Sequence, residues 1–268
     1  MKGKVVVITG ASSGIGLACA RAFASRGAYV VMAARSAGQL AQQAEELSAL
    51  PGRVVAIPCD VTREEDCKQL IDQTVSHFQR IDVLVNNAGI SMRALFADLD
   101  LDVLRRLMDV NFWGAVYCTK YAMPHLLASK GSVVGVSSIA GFKGLPARTG
   151  YSASKFALYG FLDALRVENL KTGLHVMVIA PGFTASNIRR VALAADGSAQ
   201  GETPRDESKM MSAGEVAEIL VKGVEKRKRN IILTTEGRAV MLLRSLFPGL
   251  LDKLEYSFMA KEPDSPFK

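Results

Sequence analysis

The chain begins with a strand that runs into glycines and then into a helix. Residues 4–9 read Lys-Val-Val-Val-Ile-Thr, an apolar, β-branched run of the kind that forms a buried strand. Gly10-Ala-Ser-Ser-Gly14-Ile-Gly16 follows, and Leu17 to Ser25 carry helical apolar spacing. Few folds accept this order. It presents the first amides of a helix to a pyrophosphate, and the missing side chains let the backbone turn tightly, approach phosphate closely and pack helix on sheet. The glycines are spaced G-x-x-x-G-x-G rather than G-x-G-x-x-G.

The rest of the chain repeats the alternation. Strands are expected over 4–9, 29–34, 53–58, 82–86, 131–137, 174–180 and 230–234. Helices are expected over 14–26, 37–49, 63–78, 99–128, 151–171, 213–227 and 237–258. Strands alternating with helices predict an α/β fold, a parallel sheet covered on both faces. Hydrophobic residues make up 49% of the 268, enough for a large core, and no linker, repeat or low-complexity tract divides them. One domain over 1–268 is the expectation.

Tyr151 and Lys155 stand four residues apart in Tyr-Ser-Ala-Ser-Lys, downstream of Ser138. On a helix both side chains leave one face. A free phenol titrates near ~10 and is a poor acid or base at neutral pH; an adjacent cation lowers that value by roughly 1–3 units. A serine at a neighbouring strand end could hold a substrate oxygen against the phenol. Taken alone, Tyr-x-x-x-Lys fits an ordinary surface turn as well.

Thr9-Gly10-Ala11-Ser12-Ser13-Gly14-Ile15-Gly16, Asn86-Asn87-Ala88-Gly89, Asn111, Ser138, Tyr151-x-x-x-Lys155 and Pro181-Gly182 occur in one order along the chain. In this the sequence resembles the short-chain dehydrogenase/reductase family, in its compact single-domain branch, over about residues 4–235. The resemblance implies a doubly wound Rossmann fold with a seven-stranded, mostly parallel sheet, a nicotinamide cofactor, and hydride exchange between alcohols and ketones. It implies that Gly10, Ser12, Ser13, Gly14, Ile15 and Gly16 form the phosphate turn. Asp60 and Val61 would meet the adenine, and Asn87, Ala88 and Gly89 would pass under the cofactor. Pro181 and Gly182 would face the nicotinamide, and Thr184 its carboxamide, although Phe183-Thr184-Ala185-Ser186 departs from the commoner family wording. Ser138 would hydrogen-bond the carbonyl oxygen, and Tyr151 would exchange a proton with it. Lys155 would hold the ribose and lower the Tyr151 pKa, while Asn111 would keep a water and proton path to Lys155. An asparagine inside a helical pattern is otherwise unfavourable.

Cofactor choice is read from the end of the second strand, Met32-Ala33-Ala34-Arg35-Ser36. An enzyme that selects NAD places an acid there for the ribose 2′-hydroxyl. Ala34 occupies that place and Arg35 follows, so a 2′-phosphate would find a guanidinium and meet no carboxylate. The expected cofactor is NADP(H), with Arg35 and Ser36 at the phosphate.

The loop over about 183–212 is expected to cover the substrate as a mobile lid, with a short apolar helix around Ile188, Val191, Ala192 and Leu193 and a tail through Gly197, Gly201 and Pro204. Phe142, Leu145 and Pro146 are expected to add apolar walls, favouring a hydrophobic ketone or secondary alcohol over a sugar. Beyond the core motifs, residues 238–260 form an apolar helical extension broken by Pro248-Gly249 and too short to span a bilayer. It either packs on the domain or a second subunit, the favoured reading, or lies on a membrane surface. Hydroxysteroid dehydrogenase-like and ketosphinganine reductase-like members of the family carry similar extensions. The family also uses the helices near 99–128 and 151–171 to form homodimers and homotetramers.

Other classes are weaker. Cys19, Cys59, Cys67 and Cys118 lack paired CxxC spacing and His77, His125 and His175 lack ligand spacing, so no metal is expected. Met1-Lys2-Gly3-Lys4 leads straight into the first strand without a signal-peptide pattern, which predicts a reducing cytoplasm. Net charge is +7, but the dense basic run, Lys222 and Lys226 to Arg229, falls at a helix end where cations are favoured, and no nucleic-acid motif accompanies it. A catalytically silent nucleotide-binding protein of the same fold would not need Ser138, Tyr151 and Lys155. A nucleotide-sugar epimerase would need a larger C-terminal domain.

Overall fold

The computed structural model describes residues 1–185, 188–201, 210–261, 265 and 267. Seven strands form one parallel sheet: β1 (Val5–Thr9), β2 (Tyr29–Ala34), β3 (Arg53–Pro58), β4 (Val83–Asn86), β5 (Ser132–Val136), β6 (His175–Ala180) and the edge strand β9 (Asn230–Ile232). The order is β3-β2-β1-β4-β5-β6-β9, all pairs parallel, so the winding reverses between β1 and β4. Outside the carboxyl ends of the strands at such a reversal a crevice opens, and ligands of open α/β sheets bind there.

Both faces of the sheet are covered, which is why its strands read as apolar runs without alternation. Within β1, Val6 and Ile8 point to one core and Val7 to the other. The first core packs α1 (Gly14–Ala24), α2 (Ala37–Glu46) and α7 (Ala213–Glu225), with Phe23 fully buried. The second packs α3 (Glu64–Phe78), α5 (Gly114–Ala128) and α6 (Thr149–Glu168). The four cysteines are free and buried in these cores, and burial pushes the Cys19 thiol up to about 12. The fold is the doubly wound Rossmann arrangement expected from the sequence.

Three expectations are corrected. The helix expected over 99–128 is divided: α4 (Leu101–Met108) passes through a π-helical turn at Asp109–Trp113 into α5. The extra residue in that turn aims Asn111 inward, and π-turns of this sort gather at functional sites. The helix expected over 237–258 is also two, α8 (Thr235–Leu246) and α9 (Pro248–Ala260). Pro248 has no N–H to continue α8 and instead starts α9, with Phe247 non-helical between them. No helix forms among the described residues of 183–212. β7 (Thr184–Ala185) pairs in parallel with β8 (Met211–Ser212), and Leu193 bridges to Met92 and Ala199. β-Branched and glycine residues there compete with helix formation. Ser186 and Pro204 of this segment lie outside the described residues.

The C-terminal extension lies on the domain by one row of side chains. Leu251 and Met259 are buried, Lys143 pairs with Asp252 at 2.6 Å and Glu255 at 3.6 Å, and Arg244 donates to the Phe142 carbonyl. No described helix is long and apolar enough to cross a membrane.

Candidate active site

The carboxyl ends of six strands deliver the residues singled out from the sequence. At the end of β1, Gly10 takes a left-handed φ of 64° and turns the chain toward α1. A Cβ on Gly16 would lie 2.2 Å from the Gly10 carbonyl, so only glycine lets the helix start this close to the strand. Ser13 is the N-cap of α1 without a side-chain cap bond, and the first turn carries no acid. The leading amides of α1 thus meet neither a capping side chain nor a repelling charge, the donor set a pyrophosphate requires.

Thr9 and Asn87 hold this turn in place. Thr9 Oγ1 accepts from the amides of Asn87 and Ala88, each at 3.1 Å, while Asn87 Nδ2 donates to the carbonyls of Thr9 (2.9 Å) and Gly10 (3.1 Å). Asn87 therefore clamps the glycine turn to the loop after β4. The sequence reading treated Thr9 only as part of a motif; a hydroxyl at the end of an otherwise apolar strand was its signal.

At the end of β2, Arg35 is exposed and has no ion pair among the described residues. Ser36 beside it is the N-cap of α2, again without a side-chain cap bond or first-turn acid. A guanidinium next to open helix amides suits a phosphate. After β3, Asp60 Oδ1 accepts from the Thr62 amide (3.0 Å) and hydroxyl (2.9 Å), and buried Val61 packs against Gly114. After β6, Pro181 and Thr184 are buried, and the Thr184 hydroxyl donates to the Gly182 carbonyl at 3.3 Å.

The candidate catalytic groups meet where β5 ends and α6 begins. Ser138 follows β5, and its Oγ accepts from the Ala140 amide at 3.2 Å. The Ser138 hydroxyl is near enough to the Tyr151 phenol to lower its pKa. Lys155, one turn beyond Tyr151, is buried and donates to the Val136 carbonyl at 3.0 Å; its Nζ lies 5.9 Å from the Tyr151 ring centre. Gly89 faces Lys155 Nζ and Asn111 Oδ1, so the absence of a side chain there keeps the loop after β4 close to both. Asn111 Nδ2 donates to the Ile90 carbonyl and to Ser154 Oγ, both at 2.9 Å, and its Oδ1 accepts from the Ile90 amide at 2.8 Å. Ser154 in turn donates to the Tyr151 carbonyl at 2.8 Å. The π-turn asparagine thus ties the β4 loop to the helix that carries Tyr151 and Lys155.

Burial is the largest influence on Tyr151 and raises its pKa above the ordinary value; the Ser138 hydroxyl and the Arg148 charge pull it partly back. The Lys155 ammonium donates to the Val136 carbonyl, and burial lowers its own pKa to about 8. Arg148, three residues before Tyr151 and anchored on the Met92 carbonyl at 3.1 Å, was missed in the sequence. Helical spacing of i, i+3 was the signal.

Tyr151 packs against an apolar cluster of Met92, Leu107 and Leu193. A cleft of about 490 Å³ beside Ser152 joins apolar Leu145 and Pro146 to the charged Lys143, Asp252 and Glu255, with Tyr256 of α9 at its edge. Phe142, expected as a wall, is instead in the core, its ring 4.6 Å from that of Tyr159.

The short chain dehydrogenase family model matches residues 4–196. The chain belongs to that family. Among curated relatives, 11-beta-hydroxysteroid dehydrogenase A of Arachis hypogaea is 40% identical over 261 residues, covering 93% of this chain and 74% of that one. Dehydrogenase/reductase SDR family member 7B of Bos taurus is 37% identical over 273 residues, covering 99% and 84%. Among solved structures, a short-chain dehydrogenase/reductase from Burkholderia phymatum in complex with NAD superposes with a TM-score of 0.83 at 25% identity, covering 93% of this chain and 95% of that one. An alcohol dehydrogenase from Thermococcus sibiricus, complexed with 5-hydroxy-NADP, gives 0.75 at 25% identity, covering 86% and 95%. This chain is therefore an oxidoreductase of the short-chain dehydrogenase family, and the family binds a nicotinamide cofactor.

Proposed function

We propose that this protein reduces a hydrophobic ketone to the secondary alcohol with NADP(H), using Tyr151 as the proton donor. The observation that carries the reading is the meeting of Ser138, Tyr151 and Lys155 at the carboxyl edge of the sheet, with an apolar cluster packed against Tyr151. A nicotinamide held there by the glycine turn and Lys155 would supply hydride for the carbonyl carbon. Ser138 donates a hydrogen bond to the carbonyl oxygen and sets it against the phenol. The Tyr151 O–H bond breaks toward that oxygen as negative charge builds there, which makes the tyrosine a general acid. Lys155 would hold the ribose, and Asn111 and Ser154 fix the helix that presents both side chains.

Arg35 with the amides of α2 supports NADP(H), since a 2′-phosphate would find a cation and no carboxylate. Asp60 and Val61 would face the adenine, Pro181, Gly182 and Thr184 the nicotinamide. The segment 183–212 would cover the substrate, its ends held together by β7 and β8 and Leu193 resting in the cluster beside Tyr151. Exposed Phe156 and Val167 on α6 support a homodimer or homotetramer.

A substrate and cofactor panel tests the reading: steroid, long-chain 3-keto and small aromatic ketones, each with NADPH and NADH. Turnover of an apolar ketone with NADPH preferred is the expected result. Cofactor binding without turnover of any ketone would favour the silent nucleotide-binding alternative.

A further inference from the structure

Ser138 and Arg148 stand at the two ends of one loop, between β5 and α6, and both bear on Tyr151. The body of the domain holds the ends of this loop. On the near side, Ser138 starts a short 3₁₀ turn at Ile139–Gly141. A Cβ on Gly141 would come within 2.9 Å of the Lys155 carbonyl, so that turn lies directly on α6. On the far side, the Leu145 amide donates to Ser152 Oγ at 3.1 Å, and the Ala147 carbonyl accepts from the Ala94 amide at 3.0 Å. Arg148 is anchored on the Met92 carbonyl.

The C-terminal extension reaches the same loop between those ends, through three contacts in chain order on both segments. A Cβ on Gly237 would lie 2.3 Å from Ile139 Cδ1, so the first turn of α8 sits against the residue next to Ser138. Arg244, near the end of α8, donates to the Phe142 carbonyl. The Lys143 ammonium then pairs with Asp252 and Glu255 of α9. The side chains of Lys143 and Glu255 are only 20% and 14% exposed, so water screens this pair less than one on an open surface. Burial raises the Glu255 pKa and the Lys143 charge pulls it back, which makes the ammonium the natural counter-ion of that carboxylate. Gly144 follows in the chain, exposed, and a Cβ there would meet no atom of the described residues within 4 Å.

We infer that the C-terminal hairpin is a positioning element for the reaction: by gripping Phe142 and Lys143 it fixes the loop that carries Ser138, with Lys143 and Arg244 as the positioning residues. The inference rests on the role proposed above for Ser138. A hydroxyl that orients a carbonyl oxygen must stay within hydrogen-bond reach of it, and a misplacement of about 1 Å can lower a rate by up to roughly 10²-fold. None of the three contacts involves the glycine turn, so cofactor binding should not depend on them.

The test combines amide exchange over residues 139–146 with steady-state kinetics on the best ketone of the panel. Lys143→Met, Arg244→Met and the conservative Lys143→Arg are each made in wild type and in Ser138→Ala. Lys143→Met should speed exchange in the loop and lose about tenfold in kcat, with NADPH affinity unchanged. Arg244→Met removes a different contact, should move both readouts the same way, and keeps the test open if Lys143→Met does not fold. Lys143→Arg can still pair with both carboxylates and should return kcat to within about threefold of wild type. In the Ser138→Ala background Lys143→Met should cost no further kcat, because the group it positions is gone. Unchanged loop exchange in both methionine variants overturns the inference. So does a kcat loss of equal size in both backgrounds, and so does a lower melting temperature with normal kcat, since the extension would then only stabilise the fold. A wild type that reduces no ketone would sink the proposed reaction instead, and the exchange measurement alone then decides whether the hairpin fixes the loop.

Discussion

Thr9 Oγ1 receives two successive amides of the β4 loop, and its own proton goes to the Val85 carbonyl at 3.4 Å. Thr9→Val keeps the shape and removes the acceptor, leaving buried donors unpaired at a cost of about 1–3 kcal/mol. The expected outcome is a lower melting temperature together with weaker dinucleotide binding by fluorescence titration. Arg35→Asp replaces the cation at the expected 2′-phosphate with a repelling carboxylate. NADPH affinity should fall at least about tenfold while NADH affinity is kept, since a hydrogen bond to a charged group contributes about 1.5–3 kcal/mol. Lys155 gives a pH-dependent prediction. Its folded pKa, about 8, is below the unfolded value, so the unfolded chain binds the proton more tightly. The penalty is present in full below about pH 8, fades as pH rises toward the unfolded value near ~10.4, and stability climbs across that window. Lys155→Met should therefore melt higher than wild type at pH 7, with the gap closing by pH 10, and no activity remaining. A variant that melts lower at pH 7 would show that the bond to Val136 outweighs the burial penalty.

The elements show which parts of this were legible in the sequence. Strands β1 to β6 read correctly because a sheet covered on both faces demands unbroken apolar β-branched runs, and Lys4 to Thr9 or His175 to Ala180 leave little choice. The glycine turn and the Tyr-x-x-x-Lys spacing were legible because local geometry alone fixes them. What failed depended on contacts distant in sequence. The π-turn at Asp109–Trp113 exists because Asn111 bonds Ile90 and Ser154, and no window of sequence around 109–113 contains those partners. Phe142 read as a pocket wall because its apolarity was visible and its packing on Tyr159 was not. The bond from the Lys155 ammonium to the Val136 carbonyl was not legible either, because its partner lies on a different element. At this scale Gly135→Ala in β5 is a sharp test. Its Cβ would come within 2.2 Å of Leu162 Cδ1, forcing that buried side chain of α6 to repack. The overpacking should cost about 1–3 kcal/mol and reduce kcat through misplacement of Tyr151, read by melting and by turnover.

At the scale of the whole molecule, the carboxyl edge of the sheet gathers the glycine turn, Ser138, Tyr151 and Lys155, while α9 closes one side of the cleft at Leu145 and Pro146 through the Lys143 pairs with Asp252 and Glu255. The account stands on proton transfer by the half-buried Tyr151, and pre-steady-state NADPH oxidation by wild type and Tyr151→Phe with the best ketone of the panel measures it most directly. The account predicts that the variant binds NADPH with wild-type affinity and transfers hydride about 10²–10⁴-fold more slowly. A variant that binds NADPH normally and turns over within a few-fold of wild type would contradict it.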